Sequence, residues 1–183
     1  YAYGIRLPLW HWQLLKLGTP QRGDIVVFHS PVNPHVNLIK RVIGVPGDVI
    51  SYNNKVLSIN GTIAKQQLIS EKQYSDDGVN HWQVKELSEK LGDIKHLIYV
   101  CADSKYCITQ QYDSFDHYVV PEHSYFVMGD NRDDSDDSRF WGVVPDDHLI
   151  GRALAIVLSW DSKADWRHKI RWRRIGQGFT VKI

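Results

Sequence analysis

Apolar and polar positions along most of this chain change places over short runs, without the spacing of an amphipathic helix. Ile25–Phe28, Leu38–Val45, Val49–Tyr52, Tyr125–Met128 and Ile150–Trp160 are rich in β-branched and aromatic residues and lie between turn signals. That is the pattern of β-strands. Val56–Ile59 leads into Asn60-Gly61 and then Thr62-Ile63, which predicts a tight hairpin, because Asn and Gly tolerate the positive φ that such turns require. Asn60-Gly61-Thr62 also matches a glycosylation sequon, but the turn suffices to explain it. Gln83–Leu91 is ambiguous. Its Glu and Lys content favours helix by propensity, whereas Gly92-Asp93 followed by Ile94–Val100 favours two strands joined by a turn, and strands are preferred. The chain is therefore expected to be all-β, an antiparallel β core with an inserted second, smaller β domain. The insertion is placed at residues 50–120, which are more polar than the flanks, and the core at residues 1–49 and 121–183.

Composition changes this picture little. In 183 residues, 43% hydrophobic and 23% charged positions are ordinary globular usage and argue against wholesale disorder. A net charge of +1 gives no general attraction to nucleic acid. The basic residues are uneven, however: Trp166–Arg174 holds five Lys or Arg and two Trp. No run approaches the ~20 apolar residues that span a bilayer, and Tyr1 begins no signal peptide. Cys101 and Cys107 fit neither a metal site nor a Cys-x-x-Cys redox pair. They are either a local disulfide, which implies an oxidising compartment, or two free thiols.

Several chemistries are missing from the sequence. It has no Gly-x-Ser-x-Gly elbow, no His-Glu-x-x-His and no phosphate-binding glycine loop. The acidic run Asp130–Asp137 has no frame with the ligand alternation, central Gly and terminal Glu of a calcium loop. Taken alone, it reads as a solvated acidic turn.

Three stretches in series carry more information. They are Arg22-Gly-Asp-Ile-Val-Val-Phe28, Ile39-Lys-Arg-Val-Ile-Gly-Val-Pro-Gly-Asp48 and Gly129-Asp-Asn-Arg-Asp-Asp-Ser-Asp-Asp-Ser-Arg-Phe-Trp-Gly142. In this order they closely resemble signature boxes of the bacterial type I signal peptidases, and the size of the segment between them is most similar to Gram-negative members. The resemblance is faint between about Tyr52 and Tyr118. The family's nucleophile stands in a Ser-Met-x-Pro type motif ahead of the first box. Here every serine follows Arg22 and none precedes Met. The resemblance thus implies a nucleophile and a membrane anchor upstream of Tyr1, lost by truncation or by nature, and a chain that is inactive as it stands.

The resemblance also implies a Ser/Lys dyad, in which a neutral lysine takes the proton of the attacking serine. A free lysine, with a pKa near ~10.4, must be desolvated to do so. Lys40 fits, because on a strand it shares its face with Leu38 and Val42, while Arg41 points the other way. Without the resemblance, an ordinary snorkelling lysine is the simpler reading. By motif position Ser135 orients the amine without adding charge, and Asp137 and Arg139, with Asp130 and Arg132, brace the loop. Val27, Leu38 and Ile39 are expected to line shallow pockets for small side chains of a substrate bound as an extended strand. Lys40 and Ser135 are therefore expected to meet, about 3 Å apart.

No metal and no organic cofactor is implied. The implied partners are secretory preproteins with small residues before the cleavage site, with the enzyme in the bacterial inner membrane and its catalytic domain on the periplasmic side. Leu7–Leu17, with Trp10 and Trp12, and Trp166–Arg174 suit a membrane surface. Nucleic acid is the rival for these segments, but nothing else in the chain supports it, and simple edge-strand charge explains them equally well. Two other functions remain open: a non-catalytic paralogue that binds preproteins, and a self-cleaving Ser/Lys repressor-type protein.

Overall fold

The computed structural model describes residues 18–73, 83–102 and 114–153 in full, and the backbone of residues 5–6, 13–15, 74, 82 and 181–182. The architecture is all-β and antiparallel. A five-stranded sheet has the order β13-β12-β4-β3-β14, from β3 (Ile25–His29), β4 (Asn37–Gly44), β12 (Ser124–Met128), β13 (Val144–Pro145) and β14 (Leu149–Arg152). A second sheet has the order β11-β5-β6-β7, from β5 (Val49–Asn53), β6 (Val56–Ile59), β7 (Thr62–Ile63) and β11 (Ser114–Val119). The third, β15-β10-β9-β8, is built on β8 (Gln66–Tyr74), β9 (Trp82–Leu91) and β10 (Ile94–Cys101), with β15 (Val181–Lys182) at its edge. A short pair joins β1 (Ile5–Arg6) to β2 (Gln13–Leu15).

Strand alternation explains why the five-stranded sheet has two apolar faces. Val26, Phe28, Val42 and Val127 build one core cluster with Tyr125, Val144 and Leu149. Their sequence neighbours Ile43, Phe126 and Met128 build the other, against Ile50, Tyr52, Leu57 and Ile59 of the second sheet. Burying each such side chain contributes about 2 kcal/mol. The second cluster crosses residue 49, where composition changes, so β5 and β6 share a core with β4 and β12.

Local chemistry sets the turns. Asn60 and Gly61 have φ of 51° and 76° and close the expected hairpin, with Ile59 opposite Thr62. Gln83–Leu91 lies within β9, hydrogen-bonded to β8 on one side and β10 on the other. Two ladders outweigh a helix propensity worth only tenths of a kcal/mol per residue. No helix among the described residues is long and apolar enough to cross a membrane.

Candidate active site

Lys40 stands on β4 opposite Val26 of β3, with Leu38 and Val42 on the same face. Lys40 is itself half-buried, so its amine loses much of its water. The neighbouring strand, β12, ends at Met128, and residues 129–137 turn back to a short helix, α1 (Ser138–Trp141). This turn brings Ser135 to the lysine, and Lys40 Nζ donates to Ser135 Oγ at 2.7 Å. The two residues are 95 positions apart in sequence, and the juxtaposition is the one anticipated from their order.

Burial drives the Lys40 pKa below that of an ordinary lysine. The carboxylates of Asp137, Asp136 and Asp134 oppose the shift, and the Arg139 guanidinium assists it. Ser135 is neutral, so its hydrogen bond orients the amine without supplying the negative charge that would keep it protonated. A neutral amine held this way can accept a proton from a hydroxyl presented beside it.

The turn is far from a solvated acidic loop. Asp137 is fully buried and accepts from Gly129 N–H at 2.9 Å and from Arg139 Nε at 2.8 Å. It also caps α1 through Arg139 N–H, while Ser138 Oγ accepts from Val127 N–H at 2.9 Å. Arg139 Nη2 reaches the Arg132 carbonyl at 2.5 Å. Asp130 and Arg132 do not pair with each other. Asp130 forms a bidentate pair with Arg41, both bonds at 2.8 Å. Arg132, fully buried, pairs with the equally buried Glu89 of β9. Burial alone lowers the Arg132 pKa, but Glu89 more than offsets this and holds it raised. Burial likewise pushes Glu89 up, while Arg132 and His96 pull it below the usual carboxylate range. The Arg132 and Arg139 guanidiniums lie 6.0 and 5.4 Å from the Tyr52 ring centroid.

Gly129 must lack a side chain for this contact to exist. A Cβ there would lie 2.0 Å from Ser135 Oγ and 3.6 Å from Lys40 Nζ. Gly129, Arg41 and Glu89 are thus site-forming residues that sequence reasoning did not single out. Gly129 opens the third signature stretch and was detectable. Glu89 carries no local signal among its Glu and Lys neighbours.

The apolar positions differ from the single groove anticipated. Val27 and Ile39 are directly opposed partners, so they share a face, and alternation makes it the face opposite Lys40. Ile39 is 54% exposed and Val27 half-buried. Leu38 shares the lysine's face and packs on the cluster around Phe28. β12 pairs with β4 only from Arg41 to Gly44. Among the described residues, no strand pairs with Asn37–Lys40 on that side, and with respect to them the strand edge beside the amine is open. Two clefts of about 500 and 470 Å³, one beside Tyr125 and His123 and the other beside Lys65 and Lys90, include neither Lys40 nor Ser135.

No described cysteine is free, and Cys101 ends β10. Cys107, its expected partner, lies outside the described residues, as do Trp10, Trp12 and Trp166–Arg174. No group of three or more described His, Cys, Asp or Glu is arranged to hold a metal ion.

A desolvated strand lysine bonded to a neutral hydroxyl, on an antiparallel β framework, has the form of a lysine general-base site. The family model for signal peptidase, peptidase S26, matches residues 4–160, and the chain belongs to that family. Signal peptidase I of Pseudomonas aeruginosa is 39% identical over 171 residues, covering 87% of this chain and 57% of that protein. Signal peptidase I of Buchnera aphidicola subsp. Schizaphis graminum is 34% identical over 207 residues, covering 96% and 66%. A signal peptidase I crystal structure from Enterococcus faecalis V583 aligns with a TM-score of 0.44 and 29% identity, covering 74% of this chain and 97% of that one. The chain thus spans 57% to 66% of the length of these two curated relatives.

Proposed function

We propose that the protein is a serine endopeptidase that removes signal peptides from exported preproteins through a Ser/Lys dyad, with Lys40 as general base and Ser135 as its orienting partner. The observation that carries this reading is the 2.7 Å contact between a desolvated Lys40 amine and Ser135 Oγ. A serine hydroxyl presented at the open edge of β4 passes its proton to Lys40 Nζ and attacks the scissile carbonyl. The lysine then returns the proton to the leaving amine.

The open edge also suits the substrate. An extended peptide added beside Asn37–Lys40 gains backbone hydrogen bonds and projects alternate side chains to the two faces of the sheet. One set meets Ile39, with Val27 beyond it; the other meets the face of Leu38 and Lys40. Shallow apolar contacts of this kind favour small residues before the cleavage site. Asp137, Arg139, Asp130 and Arg132 hold the turn and take no part in the chemistry. A bacterial inner-membrane enzyme with its catalytic domain on the periplasmic side accords with exported substrates, with Trp-rich basic segments suited to a membrane surface, and with a Cys101–Cys107 disulfide.

The test is cleavage of a preprotein with an Ala-x-Ala site by the encoded protein. Cleavage should require Lys40 and rise with pH through the lowered Lys40 pKa, because only the neutral amine is a base. Equal cleavage by the Lys40→Ala variant would end this reading.

A further inference from the structure

We propose that Asp133 and Lys55 are positioning residues that hold the Ser135 hydroxyl on the Lys40 amine, an inference that rests on the peptidase reading above. Burial alternates along the turn: Asp133, Ser135 and Asp137 are 5%, 6% and 0% exposed, while Asp134 and Asp136 face solvent. Ser135 is therefore bracketed by two buried carboxylates, each two positions away. Asp137 ties one flank to Gly129 and Arg139. Asp133 ties the other flank to a different part of the molecule. Its Oδ2 accepts from Cys101 N–H at 2.5 Å and from Lys55 Nζ at 2.8 Å. Lys55 Nζ also donates to the Cys101 carbonyl at 3.0 Å. These contacts fasten the turn to the end of β10 and to the β5–β6 hairpin together.

The backbone at Lys55 is a second, independent observation. Asn54 and Lys55 form the tight turn between β5 and β6, with φ of 48° and 67°. Such turns favour Asn-Gly, and a side chain in the left-handed region costs about 1 kcal/mol. Glycine would serve the hairpin better. What lysine adds is an amine that reaches Asp133, and strain kept at such a place points to a role for the side chain.

Without Lys55, the buried Asp133 carboxylate loses its cation and that flank of the turn loosens. Ser135 then drifts from the amine, and water reaches Lys40. Lys55→Gly removes the tether while relieving the turn, and the Lys40 titration separates the positioning role from simple stability.

In the encoded protein acting on an Ala-x-Ala preprotein, Lys55→Gly should lower kcat about tenfold, with Tm set by the relieved turn against the unpaired Asp133. KM should stay within about twofold, since the substrate edge is untouched. The acid limb of the rate profile should move to higher pH. The Lys40 Cε resonance, followed by NMR in ¹³C-lysine-labelled protein, should titrate at correspondingly higher pH. Asp133→Asn should give the same signature, and Lys55→Arg should restore the wild-type behaviour. Wild-type kcat with an unmoved Lys40 titration in Lys55→Gly would overturn the proposal. So would a rate loss that follows a fall in Tm while the titration stays in place. If wild type and Lys40→Ala cleave alike, the peptidase reading fails instead. The NMR titration needs no turnover and still decides the positioning role.

Discussion

Two lysine–hydroxyl clusters in this molecule use the same residue types to opposite ends. On the β8–β10 sheet, Lys72 Nζ and Ser70 Oγ each donate to Glu86 Oε2 at 2.7 Å, and Tyr99 OH donates to Oε1 at 2.8 Å. Lys72 is 58% exposed and keeps both water and a counterion. Its partner Glu86 is held down at a pKa of about 2, first by Lys72 and then by the two hydroxyls. At the turn, Lys40 has a hydroxyl but no carboxylate in contact, and burial takes its water away. One cluster stabilises charges; the other makes a charge costly. A lysine becomes a base through the removal of what would keep it protonated, and residue identity alone does not decide this.

The largest expected effect follows directly. Lys40→Ala should lower preprotein cleavage by about 10⁴-fold or more, as loss of a dyad member does, whereas Lys72→Ala should leave the rate within about twofold. A comparable loss in both would erase the distinction between the clusters. Next comes the buried pair behind the turn. Glu89→Ala leaves the Arg132 guanidinium buried without a counterion and should destabilise the fold by about 3–5 kcal/mol, measured by denaturant unfolding. Glu86→Ala, on the same strand but paired with the exposed Lys72, should cost clearly less.

Gly129→Ala should lower the rate about 10²-fold, because its Cβ would press on Ser135 Oγ and displace it from the amine. Substrate affinity should hardly change, so kcat and KM separate the two effects. The smallest effect concerns acid. The folded-state pKa of Glu86 is depressed from 4.5 to about 2, so its contribution to stability is fully present above about pH 4.5 and is lost as pH falls through about 2. Unfolding free energies of wild type and Glu86→Gln should therefore converge across that interval. A difference that stays constant down to pH ~2 would show that these hydrogen bonds do not bias Glu86 ionisation.

Much of the framework was legible because it is local. Asn60-Gly61 dictates its hairpin through φ alone, and the β-branched runs at Ile25, Leu38 and Tyr125 become strands of the five-stranded sheet. The apolar flanks of Lys40 were compatible with a desolvated amine, but only the resemblance of the three stretches singled it out. The pairings of charged residues were not legible in the same way. Asp130 and Arg132 stand two apart and look like partners, yet each reaches a different sheet, to Arg41 and to Glu89. The acidic run looked solvated, but Asp133 and Ser135 are buried against donors from distant strands and turns, and Asp137 against Gly129 and Arg139 close by. Asp137 and Arg139 are close in sequence and do pair, but the partners of Asp130, Arg132 and Asp133 lie on distant strands and turns, and nothing within a few residues encodes those.

The sequence by itself determined the all-β pattern, the turns and the residues from which the site is drawn. Backbone sterics and side-chain alternation act over two to four residues, and so they can be read in order along the chain. Only the tertiary structure decided that Lys40 and Ser135 share a hydrogen bond, that Val27 and Ile39 lie on the opposite face of the sheet from the amine, and that Gly129 must leave room for the contact. Desolvation and charge pairing depend on which distant strands close over a group. The chemistry of Lys40 therefore belongs to the fold that strips it of water.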